Sequence, residues 1–112
     1  MSSKSGAGPA ARFIVLWDTP SDPEAFDRHY RETHIPLVRK LTGLRSYTLG
    51  RDISAVRGEP YHMVAELTWD TMDELRAAFA SPEGRAVGAD VDVMRRLAQV
   101  RSMVVGTDDN VL

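Results

Sequence analysis

The sequence contains no cysteine among its 112 residues. Disulfides, thiolate nucleophiles and cysteine-ligated zinc or iron–sulfur sites are therefore excluded as explanations of its function. The absence is compatible with a reducing compartment, and we expect a cytoplasmic protein. A large excess of charge is also missing, because 14 basic and 16 acidic side chains leave a formal net charge of -2. Neither a nucleic acid nor a membrane surface is predicted as a partner.

Long apolar runs and nucleotide-binding motifs are absent as well. No apolar run approaches the ~20 residues that span a bilayer, and no glycine-rich phosphate loop predicts a nucleotide cofactor. The opening residues 1–11, MSSKSGAGPAA, are small and polar, so we expect a flexible arm rather than a signal peptide. The remaining composition is that of an ordinary globular protein. We predict one domain over residues 12–107 and a tail over residues 108–112.

Four segments predict the strands of this domain. The first, Arg12 to Asp18, is apolar at both alternating sets of positions, which is typical of a strand buried on both faces. The other three are expected at Leu44 to Arg51, Tyr61 to Trp69 and Val100 to Gly106. A polar, turn-rich loop joins the second strand to the third.

Capping signals predict two helical regions between these strands. The stretch SDPE at 21–24 is a capping box for the first helix, which we expect to end at Gly43. A second capping box, TMDE at 71–74, starts the next helix, which restarts at 81–84 (SPEG) and is expected to break at Gly88. The order β-α-β-β-α-β predicts an α+β, ferredoxin-like fold, in which a four-stranded antiparallel sheet carries its helices on one face.

The outer face of such a sheet is too apolar to meet water. Apolar residues occupy both registers of the first and last strands, and these are Phe13, Ile14, Val15, Leu16, Trp17, Met103, Val104 and Val105. Burial of one such side chain is worth ~1.5–3 kcal/mol, so a set of this size favours association. We predict a homodimer whose sheets meet face to face; the alternative is a small exposed apolar strip.

Polar groups on the third strand suggest a ligand site at the same face. His62 and Glu66 alternate with Met63 and Leu67, so we expect them to face the space between two sheets. A largely apolar chamber with a few polar groups is typical of a small-molecule site. The second predicted partner is therefore a small-molecule ligand.

The stretch FDRHYRETHIPL strongly resembles the signature of the EthD family, which has an aromatic residue, tyrosine, histidine and proline at the positions of Phe26, Tyr30, His34 and Pro36. The later strands and helices resemble EthD sequences in the same order, so the resemblance covers nearly all of the predicted domain. It implies a dimeric α+β barrel with an enclosed pocket, and it implies no particular reaction. The wider superfamily includes isomerases, cofactor-free monooxygenases and haem-dependent enzymes.

His34 is the candidate acid–base residue. It follows Tyr30 by four positions on the apolar side of the helix, and Pro36 is expected to bend the helix beside it. Imidazole exchanges protons near neutrality because its ordinary pKa is about 6.5. Tyr30 would orient His34 or bond a ligand oxygen. The alternatives are a structural core histidine and a buried aromatic ring, and His29 is expected to be solvated.

Further ligand contacts are predicted at His62, Arg51, Trp17 and Glu66. His62 and Arg51 would bind polar groups of the ligand, and Trp17 would form an aromatic wall. A metal site is not predicted, because two histidines five residues apart on an α-helix, such as His29 and His34, point about 140° apart.

The leading hypothesis is an enzyme for cofactor-independent proton transfer, either an isomerisation or an oxidation of an activated, oxygenated apolar molecule. Two alternatives stay open. One is a non-catalytic binding or accessory protein that uses the same chamber, and the other is a haem-binding protein like some relatives in the superfamily.

Overall fold

The computed structural model describes residues 10–107, and four antiparallel strands form its sheet. These strands are β1 (Ala11–Trp17), β2 (Ser46–Gly50), β3 (Met63–Trp69) and β4 (Val100–Gly106). Their order in the sheet is β2-β3-β1-β4, so each helical connection crosses over one strand. The predicted α+β, ferredoxin-like architecture is confirmed, although β2 and β3 begin later than expected.

Two helical regions cover one face of this sheet. The first consists of α1 (Pro23–His29), a π-helical turn (Tyr30–His34) and α2 (Ile35–Val38). The second consists of α3 (Met72–Ala80) and α4 (Pro82–Met94).

Short polar side chains begin these helices by accepting backbone N–H groups that have no partner within the helix. Thr71 and Ser81 cap α3 and α4 as predicted. The cap of α1 is Asp22 and not the neighbouring Ser21, because the Asp22 carboxylate accepts the N–H three residues ahead at 3.1 Å. The break expected at Gly88 is absent, since α4 continues through that residue.

Pro36 explains the unusual course of the first helical region. It has no N–H to give to the turn before it, which disfavours regular α-helical bonding there. The N–H of Ile35 instead donates to the carbonyl of Tyr30, five residues earlier, and closes the wider π-helical turn. The helix ends at Val38, earlier than expected, and Gly43 forms a later turn with a left-handed φ of 79°.

The core lies between the helices and the inner face of β1 and β3. Trp17 on β1 meets Phe26 on α1 edge to face, with ring centroids 5.1 Å apart. The largest fully buried side chains are Trp17, Trp69, Tyr30, Phe26, Met63, Leu75, Met94 and Val38. This contiguous apolar layer holds the first helical region at a fixed height above the sheet.

The outer face of the sheet carries apolar side chains that the helices do not cover. Strand alternation places Ile14, Leu16, Val64, Met103 and Val105 on this face. The apolar set predicted from the sequence did not include Val64, and four of its members lie in the register that faces the helices, namely Phe13, Val15, Trp17 and Val104. The uncovered apolar surface is therefore smaller than predicted, but it is continuous across β4, β1 and β3.

The ends of the chain add little to the described fold. Ala11, which we placed in the N-terminal arm, is fully buried and begins β1. Residues 1–9 of the expected arm and the tail over residues 108–112 lie outside the described residues. Within residues 10–107, none of the helices combines the length and apolar character needed to cross a membrane.

Candidate functional site

An apolar groove runs between the second helical region and the inner face of β1 and β4. Its volume is about 580 Å³, which is within the usual range for small-molecule sites. Arg85 and Asp92 are its charged lining residues. The apolar walls are Phe13, Val15, Phe79, Val87, Val91 and Val100.

Behind this groove, a narrow inner chamber reaches His34. Its volume is only about 20 Å³, which is about the space of one water molecule. Tyr30 and Tyr47 line the same chamber. The groove and the inner chamber adjoin, because both are lined by Phe13, Val15, Phe79, Val87 and Val91.

Asp90, on α4, holds two histidines of the first helical region. Nδ1 of His34 lies 2.8 Å from one carboxylate oxygen of Asp90, and Nε2 of His29 lies 2.7 Å from the other. An ionised carboxylate only accepts hydrogen bonds, so both nitrogens carry a hydrogen. The π-helical turn allows this convergence, because its extra residue per turn returns positions five apart to one side. His29 was expected to be solvated; its side chain is 29% exposed but also bonds to Asp90, so the prediction holds only in part.

The other ring nitrogen of His34, Nε2, is available as a proton acceptor. When neutral imidazole carries its hydrogen on Nδ1, the lone pair is on Nε2. No residue between 10 and 107 forms a hydrogen bond to Nε2. The atom is not one of the fully buried polar atoms that lack a partner, and His34 lines the inner chamber. Burial lowers the pKa of His34, although Asp90 acts in the opposite direction. The imidazole of His34 is therefore neutral at pH 7.

Tyr30 and Tyr47 place two hydroxyl groups at the same end of the pocket. Their oxygens are 2.6 Å apart, and only one hydroxyl can donate to the other. The second hydrogen is available to a ligand oxygen. Burial raises the pKa of both phenols, so both are protonated donors near neutral pH. The ring centroids of Tyr30 and His34 are 5.0 Å apart, and both tyrosines line the inner chamber with His34.

Two predicted contacts, His62 and Arg51, line neither the groove nor the inner chamber. Because His62 precedes β3, strand alternation does not fix its direction, and its ring turns toward α1. Its Nε2 lies 2.8 Å from Oδ1 of Asp27, and the edge-to-face distance to the ring of Phe26 is 5.6 Å. Arg51 follows β2, and together with His62 it lines a separate cleft. The expectation that His62 shares the outer face with Glu66 was wrong.

The two remaining candidates differ in position. Trp17 lines the inner chamber and is 1% exposed, so it could contact only a ligand that enters the chamber. Glu66 lies on the outer face, where the guanidinium of Arg12 approaches it at 3.3 Å in a half-exposed ion pair. The structure therefore groups Tyr30, His34 and Trp17 and separates Glu66 from them.

Sequence reasoning missed Asp90 and Tyr47. Asp90 had a signal, since it lies three residues after Val87 and four before Met94, on the buried side of α4. For Tyr47, the only signal was its place in the inward-facing register of β2, which it shares with Leu49.

Within the described residues, no cluster of three or more His, Asp or Glu side chains could hold a metal ion.

Comparisons with known proteins agree on one family. The EthD domain model matches residues 18–95. An uncharacterized 11.0 kDa protein from the thcB-thcC intergenic region of Rhodococcus erythropolis is 35% identical over 82 residues, which is 71% of this chain and 79% of that protein. The crystal structure of an EthD family protein from Bacillus halodurans C-125 is 31% identical, has a TM-score of 0.77, and is matched over 88% of this chain and 99% of that chain.

More distant structures share the fold. SnoaB from Streptomyces nogalater, a cofactor-independent oxygenase, is 18% identical with a TM-score of 0.67, over 92% of this chain and 97% of that one. A dimeric ferredoxin-like protein from Thermobifida fusca YX is 21% identical with a TM-score of 0.66, over 89% of this chain and 92% of that one. Because the family model spans well over half of the sequence, this protein belongs to the EthD family.

Proposed function

We propose that this protein is an enzyme that moves a proton on an oxygenated, largely apolar molecule without a resident cofactor. The observation that carries the proposal is the unpartnered Nε2 of His34, a neutral base at the end of an apolar pocket. SnoaB supports the cofactor-free reading by analogy of fold alone.

The chemistry follows from the atoms around His34. Nε2 takes a proton from a carbon next to a carbonyl group, or from a phenol, and negative charge develops on the ligand oxygen. The free hydroxyl hydrogen of the Tyr30–Tyr47 pair donates to that oxygen, and Asp90 stabilises the imidazolium. Return of the proton to another carbon completes an isomerisation. An oxidation would begin with the same proton transfer and use dioxygen as the electron acceptor.

Access to His34 requires movement of an aromatic wall. The inner chamber is too small for an organic molecule, whereas the groove beside it is large enough. Phe13 and Phe79 line both spaces, with ring centroids 4.6 Å apart. We infer that these two rings separate when a ligand moves from the groove toward His34.

Hydrogen–deuterium exchange into 2-tetralone tests the proposal without knowledge of the natural substrate. This bicyclic ketone is apolar and has acidic C–H groups beside its carbonyl group. In D₂O, the protein should accelerate loss of these proton signals by about 100-fold or more over buffer, the usual contribution of a positioned base. His34→Gln should remove the acceleration, and Tyr47→Phe should reduce it by about tenfold or more.

A matched control is Thr33→Ala, which changes an exposed side chain next to His34 and should keep the wild-type exchange rate. Equal exchange by the wild-type protein and His34→Gln would contradict the proposal. Binding of the ketone in the groove without exchange would instead favour a non-catalytic binding protein. The haem alternative stays a separate prediction, for which a Soret band after haem addition is the measurement.

We further infer that two copies associate through the outer face of the sheet. Ile14 and Leu16 on β1 adjoin Met103 and Val105 on β4, and their side chains form an apolar surface without helices over it. The dimeric ferredoxin-like protein from Thermobifida fusca supports this arrangement by fold. The cytoplasmic location expected from the sequence stays a prediction.

A further inference from the structure

A second cavity, which we call the polar cleft, lies beside Asp27 of α1. It forms where β1 and β2 end and β3 begins, and its volume is about 330 Å³. No residue of the polar cleft lines the groove or the inner chamber. It is lined by Thr19, Asp27, Arg51, Asp52, Ile53, Pro60, Tyr61, His62 and Met63.

An imidazole–carboxylate pair on one wall supplies two acceptor atoms to this cleft. Oδ1 of Asp27 accepts the hydrogen bond from Nε2 of His62, and in the tautomer that carries its hydrogen on Nε2 the ring presents a lone pair on Nδ1. Phe26 packs edge-on against the ring and fixes its orientation. In the described part of the chain, neither Nδ1 of His62 nor Oδ2 of Asp27 has a hydrogen-bond partner.

Two further charges line the polar cleft, and both side chains are exposed to solvent. Across residues 10–107, the guanidinium of Arg51 and the carboxylate of Asp52 make no hydrogen bond or ion pair. They are neighbours in sequence at the end of β2, yet they do not bond to each other. Asp52 has a left-handed backbone with φ of 54°, a conformation that aspartate and asparagine tolerate better than most residues.

We propose that the polar cleft binds a free amino acid. The ammonium group donates its three hydrogens to Oδ2 of Asp27, the carboxylate of Asp52 and Nδ1 of His62. The carboxylate group of the ligand accepts hydrogen bonds from the guanidinium of Arg51. The side chain of the ligand then meets Ile53, Pro60 and Met63, which are the apolar walls of the cleft.

The charge pattern favours a zwitterion over a simple ion. An anion would meet Arg51 but would be repelled by the carboxylates of Asp27 and Asp52. An amine without a carboxylate would leave Arg51 unpaired. A metal ion is a weaker candidate, since the described residues contain no cluster of three or more His, Asp or Glu suited to one.

Three ligands of matched shape test the proposal by NMR titration of the nitrogen-15-labelled protein. L-Leucine carries both charges, L-leucinamide lacks the carboxylate, and 4-methylpentanoate lacks the ammonium group. L-Leucine should shift the amide signals of residues 51–53 and 61–63, and each of the other ligands should bind about tenfold or more weakly, because each loses a charge-assisted contact. Equal binding of the three ligands, or no shift with any of them, would overturn the proposal.

Substitutions locate the site. Arg51→Gln should weaken L-leucine binding by about tenfold or more, as should Asp52→Asn, which keeps the side-chain shape and tolerates the left-handed backbone. Arg57→Gln removes an exposed arginine of the same loop that does not line the cleft, so it should leave binding unchanged. Equal losses in Arg51→Gln and Arg57→Gln would contradict a site at Arg51. His34→Gln should also leave binding unchanged, which separates this site from the proposed catalytic one.

Discussion

Asp90 determines which nitrogen of His34 carries the hydrogen, because its carboxylate accepts from Nδ1 and leaves Nε2 without one. The role is one of positioning, since Asp90 lines neither the groove nor the inner chamber. The same carboxylate also ties His29 to α4. One buried side chain thus connects the π-helical turn to the second helical region and selects the tautomer of the candidate base.

Replacement of this carboxylate by an amide should change the tautomer of His34. In Asp90→Asn, the side chain has one accepting oxygen and one donating NH₂ group in place of two accepting oxygens. We expect a fraction of His34 to carry its hydrogen on Nε2, visible in long-range proton–nitrogen NMR spectra. Asp92→Asn, on the exposed side of the same helix, should retain the wild-type pattern. An unchanged His34 pattern in Asp90→Asn would contradict the positioning role.

The lowered pKa of His34 also predicts how stability depends on pH. Burial lowers this pKa below its ordinary value of about 6.5, so in acid the unfolded chain binds a proton before the folded chain does. The contribution of His34 to the free energy of unfolding is therefore complete above about pH 6.5 and is lost as the pH falls toward the folded pKa. Urea unfolding at about pH 7.5 and about pH 5.5 should show this loss, and His34→Gln should show a smaller one. An equal loss in both proteins would exclude His34 as the source.

At the scale of the element, the π-helical turn is the feature that sequence patterns did not predict. Pro36 correctly indicated an irregular helix near His34, but a regular α-helix was assumed when His29 and His34 were placed on different sides. In the wider π-helical turn the two histidines lie on the same side, which reverses that conclusion without any change in composition. The hydrogen bond from Ile35 to Tyr30 depends on which carbonyl is within reach, and hydropathy contains no information about that.

The strands were also predicted only in part. Alternation predicted the inner and outer residues of β3 correctly, because each ladder hydrogen bond fixes the direction of the side chains. The alternation pattern failed at His62, which lies one residue before the paired part of β3. The direction of its ring is set by the hydrogen bond to Asp27 instead. Asp90 was missed because its partners are 56 and 61 positions away in the chain.

The junction between α3 and α4 depends on the small size of Gly84. A β-carbon there would overlap with the carbonyl oxygen of Ala78 and the backbone of Phe79. We expect Gly84→Ala to lower the free energy of unfolding by about 1–3 kcal/mol. Gly88→Ala is the matched control on the same helix, since its β-carbon meets no atom within 4 Å. It should raise the free energy of unfolding by about 0.5–1 kcal/mol through helix propensity. Equal effects in urea unfolding would show that the junction tolerates extra volume.

At the scale of the whole molecule, the outer face of the sheet predicts a homodimer. Light scattering after gel filtration should give twice the monomer mass of 12.4 kDa. A charge in the middle of an apolar interface is costly, so Leu16→Glu and Met103→Glu should each shift the protein toward the monomer. Ala77→Glu, on the exposed side of α3, should leave the dimer intact. A wild-type monomer at high micromolar concentration would contradict the predicted interface.

The proposed function depends on a neutral His34 imidazole that presents an unprotonated Nε2 to an apolar pocket. The nitrogen-15 spectrum of the His34 ring in the wild-type protein at about pH 7.5 tests it directly, because protonated and unprotonated ring nitrogens have well-separated shifts. We expect a hydrogen on Nδ1 and none on Nε2. A ring that carries its hydrogen on Nε2, or on both nitrogens, would contradict it.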